Sequence, residues 1–301
     1  MAVPAISIQK LTKRYGTSRG VDDISLKVEK GEVFGFLGPN GAGKTTTIRM
    51  LMDFIRPSSG TAKVLGLDCQ KEPTQIHKRV GFLAGDMEMD PRMTGRQYLE
   101  YVSNIRGGVP WSKVQVLIDR LQCETERKIG KLSRGNKQKI ALVSALMDDP
   151  DVLILDEPTS GLDPLMQQEF NTIIHEHRKK GKTAFVSSHD LSEVEQICDR
   201  IGFIREGKLI AVEPLKALTK QTFKNVRVSF AAKPKPSDFS KLANASDVVV
   251  KDKTVTLKLK GDVTPLIKEL GKHKLKDVTM QDANLEEIFM TMYEDLEVQD
   301  A

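Results

Sequence analysis

One segment, Gly38-Pro39-Asn40-Gly41-Ala42-Gly43-Lys44-Thr45, constrains this chain more than any other. It follows a short apolar run, Val33 to Leu37, that reads as a buried strand, and it precedes Thr46 to Met52, which can begin a helix. The spacing G-x-x-x-x-G-K-[ST] between a strand and a helix lets backbone N–H groups turn inward around phosphate oxygens. The helix adds the positive end of its dipole. Lys44 is expected to reach the β- and γ-phosphates, and the Thr45 hydroxyl to bind Mg²⁺. Residues Gly38, Pro39, Asn40, Gly41, Ala42, Gly43, Lys44, Thr45 and Thr46 thus form an expected nucleoside triphosphate cradle.

Three further apolar runs read as buried strands: Val80 to Leu83, Val152 to Leu155 and Thr183 to Ser187. Ile24 to Val28 alternates apolar and polar, as a half-buried strand does. Helical stretches lie between, notably Lys137 to Met147 and Gln167 to Lys180, so a mostly parallel sheet covered on both faces is expected. The run from Val152 ends in Asp156 and Glu157. Parallel sheets put ligand groups at the carboxyl ends of their strands. Asp156 is expected to bind Mg²⁺, and Glu157 to polarise the attacking water as a general base. The next strand ends in Ser188-His189, and His189 is placed to hydrogen-bond the γ-phosphate and that water. His175 and His177 lie in a charged helix and read as surface residues; His77 and His273 carry no signal. Leu132-Ser133-Arg134-Gly135-Asn136 opens an apolar helix. Read alone it is a helix cap, with Ser133 and Gly135 where a hydroxyl and free N–H groups could meet an anion.

Residues 86 to 130 differ from the rest. Helical patterns over Arg96 to Ile105 and Trp111 to Leu121 are broken by Gly107-Gly108 and Pro110, which reads as a helical insertion continuing to residue 147. After residue 220 the character changes again. Val226, Val228 and Phe230 alternate, as do Val255, Leu257 and Leu259, around a Lys233 to Pro236 loop. Leu285, Ile288, Phe289 and Met292 then stand at helical spacing behind the capping candidates Asp282 and Asn284. Two domains are expected, 1–220 and a small α+β domain 221–301.

In this order, GPNGAGKTT (38–46), LSRGN (132–136), LILDEP (153–158), SGLD (160–163) and SSH (187–189) resemble the ATPase subunits of ABC transporters, over about residues 5 to 220. The resemblance implies a P-loop NTPase core of α/β class with a helical subdomain at 86–147. It implies ATP and Mg²⁺ as ligands, and two ATPase subunits packed head to tail as a homodimer or with a related subunit. Tyr15 matches the aromatic that stacks on adenine. LSRGN is similar to the family signature, so Ser133 and Gly135 would serve the partner's nucleotide; SGLD, with Asp163, resembles the loop that crosses to the partner. Two positions depart from the pattern. Gly85 stands near the place of the family's γ-phosphate-sensing glutamine, leaving Asp86 as the substitute metal contact, and Arg134 replaces a signature glycine. Both departures, and a segment similar to Asn284 to Phe289, resemble the exporter branch whose membrane permease is a separate chain.

Composition fits that expectation. No segment approaches the ~18–20 apolar residues of a spanning helix, and the N-terminus has no signal-peptide core, so a cytoplasmic chain, peripheral on the inner face of the membrane, is expected. Forty-six Lys and Arg against 41 Asp and Glu give +5, too mild a balance to argue nucleic-acid binding. Cys69, Cys123 and Cys198 are odd in number and far apart, which fits reduced thiols. Two rival readings are a soluble ABC ATPase acting on ribosomes or nucleic acid, and a regulatory module that binds ATP without useful hydrolysis.

Overall fold

The computed structural model describes residues 3–16, 18–218, 223–283 and 287. The chain divides into two compact units, Met1–Leu215 and Lys216–Ala301. The expected boundary at 220/221 lies outside the described residues, as does the expected helix through Leu285, Ile288, Phe289 and Met292.

The first unit opens with β1 (Ile6–Tyr15) and β2 (Ser18–Val28), then β3 (Val33–Leu37), α1 (Lys44–Leu51), β4 (Ser59–Val64), β5 (Leu67–Asp68), α2 (Pro73–His77) and β6 (Val80–Leu83). The stretch read as a helical insertion carries α3 (Gly95–Ile105) and α4 (Trp111–Arg120), followed by a 3₁₀ turn (Ile129–Lys131) and α5 (Arg134–Leu146). Then come β7 (Val152–Asp156), α6 (Pro164–Lys179), β8 (Thr183–Ser188), α7 (Leu191–Glu195), β9 (Arg200–Arg205) and β10 (Lys208–Pro214). An antiparallel sheet has the order β2-β1-β4-β5, and the central sheet the order β10-β9-β3-β8-β7-β6. From β9 to β6 the neighbours are parallel; β10 returns antiparallel.

β3, β7 and β8 are buried at every residue, as strands covered on both faces must be. Phe185 of β8 packs its ring 5.8 Å from Phe34 and 5.3 Å from Phe36, both of β3. Register then does the positioning. Leu37 pairs with Ser188, and Asp156 with Ser187. The glycine-rich loop, the paired carboxylates and His189 therefore leave the sheet side by side at one edge.

His177 corrects the sequence reading. It is only 5% exposed, on the α6 face that buries Phe170, Ile173 and Ile174, with Nε2 3.2 Å from Thr183 O. Burial pushes its imidazole down from 6.5 to about 4. An unfolded histidine takes up a proton below pH ~6.5 and the native one resists until about 4. The stability it protects is therefore present above pH ~6.5 and lost as pH falls toward 4, on the order of 3 kcal/mol at ~1.4 per pKa unit. His177→Gln keeps a polar group opposite Thr183 O and removes the titration. Urea-denaturation midpoints between pH 7 and 4.5 are expected to fall less steeply in the variant than in the native chain; parallel curves would assign the acid sensitivity elsewhere.

In the second unit the described residues form β11 (Phe223–Phe230), α9 (Pro236–Ser240), β12 (Ala245–Lys251), β13 (Thr254–Lys260), α10 (Thr264–Leu270) and β14 (Leu275–Asp282), after a short α8 (Leu215–Leu218) at the division. The strands make an antiparallel sheet of order β12-β13-β11-β14. The expected alternation is realised: Val226, Val228, Phe230, Val255, Leu257 and Leu259 bury one face against Phe239 of α9 and Leu266 and Leu270 of α10.

Candidate nucleotide site

The loop between β3 and α1 reaches the helix through Gly43, whose φ of 110° lies in the left-handed region that glycine adopts without steric cost. The first N–H groups of a helix have no intrahelical partner, so the start of α1 offers donors to an anion. Lys44 is the first helical residue and is buried, 6% exposed. Its Nζ donates to Gly38 O at 2.6 Å and Pro39 O at 3.3 Å, and lies 3.2 Å from Glu157 Oε1. The ammonium is thereby held beneath the loop rather than swinging in solvent.

Across the sheet edge, Asp156 is 2% exposed. Its Oδ2 accepts from Thr45 Oγ at 2.7 Å, and its Oδ1 from Ser187 Oγ. Glu157 follows at φ 49°, a left-handed backbone that costs a non-glycine residue of order 1–3 kcal/mol and persists where neighbours over-determine it. Its N–H donates to Ser187 O at 3.3 Å and Ser187 Oγ at 3.1 Å. Its Oε2 accepts from His189 Nδ1 at 2.8 Å, since a carboxylate can only accept. Glu157 Oε1 is buried and makes no hydrogen bond among the described residues, only the ion pair with Lys44.

Two cavities meet here. One, of about 260 Å³, is lined by Tyr15, Pro39 to Gly41, Gly43 to Thr46 and Glu157. Tyr15 ends β1, is 47% exposed and lines this cavity, with Lys13 Nζ over one face of its ring, 5.2 Å from the centre. The other cavity, of about 490 Å³, brings together Thr45, Asp86, Arg134, Asp156, Glu157 and His189. Gly85 lies against the carboxylate: a Cβ there would sit 3.2 Å from Asp156 Oδ2. Asp86 is exposed on the cavity wall. Ser133, Gly135 and Asp163 line neither cavity. Ser133 caps α5 by accepting from Asn136 N–H at 3.2 Å, and Asp163 caps α6 by accepting from Met166 N–H at 3.0 Å.

The description "ABC transporter" belongs to the family model that matches residues 21–160. The chain is 40% identical over 222 residues to bacitracin transport ATP-binding protein BcrA of Bacillus licheniformis, covering 73% of this chain and 72% of that protein. This chain belongs to the ABC transporter family. It is an ATP-binding subunit and an ATPase. A second similar protein is the uncharacterised ABC transporter ATP-binding protein YhcH of Bacillus subtilis, 33% identical over 294 residues and 95% of each chain. A solved ATP-binding subunit of an ABC transporter shares the fold, with a TM-score of 0.65 at 24% identity over 72% of this chain and 92% of that one. The α/β fold expected for an ABC ATPase is thus the observed one. Among the described residues no helix is long and apolar enough to cross a membrane.

Sequence reading missed two side chains of this ABC site. Ser187, inside SSH, ties Asp156 to the Glu157 N–H. Gln138 on α5 reaches the Glu157 carbonyl from 19 residues away, a contact that no local pattern announces. The three cysteines are free: Cys69 and Cys198 are buried, Cys123 half-buried. Burial pushes the thiols of Cys69 and Cys123 up to about 12, which leaves them unreactive.

Proposed function

We propose that this subunit powers an export system. Two copies, or one copy and a related ATPase subunit, pack head to tail, with each ATP between the phosphate loop of one and Ser133 and Gly135 of the other. Asp163 lies on the loop that crosses to the partner. Hydrolysis removes the γ-phosphate that bridges them, the pair opens, and a separate integral membrane permease is driven between two states. The chain would lie on the cytoplasmic face of the membrane.

The observation that carries this reading is the Lys44–Glu157–His189 chain beside Asp156. Glu157 acts as general base, taking a proton from the attacking water. His189 holds the carboxylate through Nδ1 and turns Nε2 toward the γ-phosphate and that water. Lys44 draws charge from the β- and γ-phosphates as it develops. Tyr15 stacks on the adenine. Mg²⁺ fits the donor set: the Thr45 hydroxyl and the buried Asp156 carboxylate are hard oxygens already brought within 2.7 Å of each other. When bound, Mg²⁺ would neutralise the charge on the β- and γ-phosphate oxygens. Asp86 is the remaining acidic wall on that side, where Gly85 offers no side chain.

Transport names among the relatives support this reading over a ribosome- or nucleic-acid-directed ATPase. The carboxylate–imidazole contact supports hydrolysis over a module that merely binds ATP. The test is affinity capture of the tagged full chain from detergent-solubilised membranes of its host, with phosphate release measured in Mg²⁺ and in EDTA. A co-purifying chain with several spanning helices and Mg²⁺-dependent turnover are expected. Capture of ribosomal proteins with no membrane chain would overturn the transport reading.

A further inference from the structure

Glu157 is held on every side, and one of its holders stands on α5, one turn beyond the Ser133 and Gly135 end of that helix. Ser187 takes its N–H, while Lys44 and His189 take its carboxylate. Its carbonyl oxygen accepts from Gln138 Nε2 at 3.2 Å, and the same nitrogen donates to Pro158 O at 2.9 Å. One half-buried amide on α5 therefore spans two consecutive carbonyls of the turn that leaves β7. Neighbours on the same helix face fasten the rest of that turn. Arg134 Nη2 donates to Ser160 Oγ at 3.0 Å, and Gly135 approaches so closely that a Cβ would fall 2.5 Å from Gly161 O.

We infer that Gln138 is a positioning residue for Glu157, acting through the backbone carbonyl; the inference rests on the reading of Glu157 as the base. The residue before a proline is pushed toward extended backbone, yet Glu157 precedes Pro158 with φ 49°. Its conformation has to be imposed from outside. Ser187 pins the N–H side of the residue and Gln138 pins the carbonyl side. With the carbonyl released, the 157–158 peptide can turn, and the carboxylate leaves the line between Lys44 and His189. What Gln138 contributes is a hydrogen-bond donor facing two acceptors, not volume.

The donor requirement makes the idea testable in the full chain. Gln138→Met fills a similar space without a donor, and Gln138→Glu keeps the shape but points an acceptor at two carbonyls. Both variants are expected to lose kcat by about 10–100-fold at pH ~8, with KM for ATP within about twofold of native, as a misplaced catalytic group produces. Binding of a non-hydrolysable ATP analogue should stay native in both. As pH falls toward ~5.5, a carboxyl between two carbonyls, its pKa raised by them, takes a proton and becomes a donor. The kcat of Gln138→Glu relative to native should then recover, while that of Gln138→Met stays flat. Native kcat in Gln138→Glu at pH ~8, a ratio that does not move with pH, or loss of analogue binding in both variants would each overturn the inference. Glu157→Gln separates the two readings. Native turnover in that variant removes the base assignment itself. Slow turnover there alongside unaffected Gln138 variants removes only the role of Gln138.

Discussion

Glu157→Gln is expected to lower kcat for ATP hydrolysis by about 10²–10⁴-fold, the usual share of a positioned general base. The substitution removes one negative charge and keeps the volume, so the left-handed backbone and the Gln138 and Ser187 contacts to it should persist. The amide oxygen can still accept from His189 Nδ1, which donates to the carboxylate at 2.8 Å in the native chain. Lys44 loses its ion-pair partner at 3.2 Å and stays on the carbonyls of Gly38 and Pro39. ATP affinity should therefore be equal or higher, because the ammonium no longer shares its charge with a carboxylate. With binding intact and the γ-phosphate uncleaved, ATP should accumulate a dimer on size exclusion that ADP does not produce. Hydrolysis at the native rate would show that the proton goes elsewhere. Slow hydrolysis with no ATP-dependent dimer would keep the base and remove the head-to-tail assembly.

The elements that carry the chemistry were legible because they obey local rules. β3, β7 and β8 are short, mostly apolar runs buried at every residue, and β7 and β8 end at the polar residues Asp156 and Ser188, where the sheet edge meets the site. β1 obeys no such rule: its pairing with β2 shifts register three times between Ile8 and Arg14, so its inward residues lose strict alternation and its ten residues do not read as a strand. β5 is two residues long and gains its place only from pairing with β4. His177 was legible and was misread. Phe170, Ile173, Ile174 and His177 stand at i, i+3, i+4 and i+7, and the charged neighbours masked that stripe. Ser133 and Asp163 show the converse. Their motif positions are visible in sequence, and within one chain both act as helix caps; a role toward a nucleotide or a second copy needs a surface that one chain does not contain. Gln138 was invisible for a plainer reason, since its partners are carbonyls, which every residue type carries.

Lys44→Ala is expected to weaken ATP binding by at least about 100-fold, ~2.7 kcal/mol, while the chain still folds. The ammonium is buried with its position set by two loop carbonyls, at 2.6 and 3.3 Å, so little side-chain freedom remains to be lost when phosphates arrive. Its charge-assisted bonds to phosphate oxygens come from an ammonium already withdrawn from water, so they exceed those of an exposed lysine. Truncation also leaves Glu157, with its side chain 19% exposed, facing the phosphates without a neighbouring cation. Repulsion is then added to lost attraction, and this second term sets Lys44 apart from the other loop residues. Removing both charges at once, in Lys44→Ala with Glu157→Gln, should therefore recover part of the affinity. Calorimetric titration with ATP and Mg²⁺ reads all three proteins. Undiminished affinity in Lys44→Ala would overturn the phosphate-loop assignment. A double variant no tighter than the single one would mean that Glu157 does not face the nucleotide.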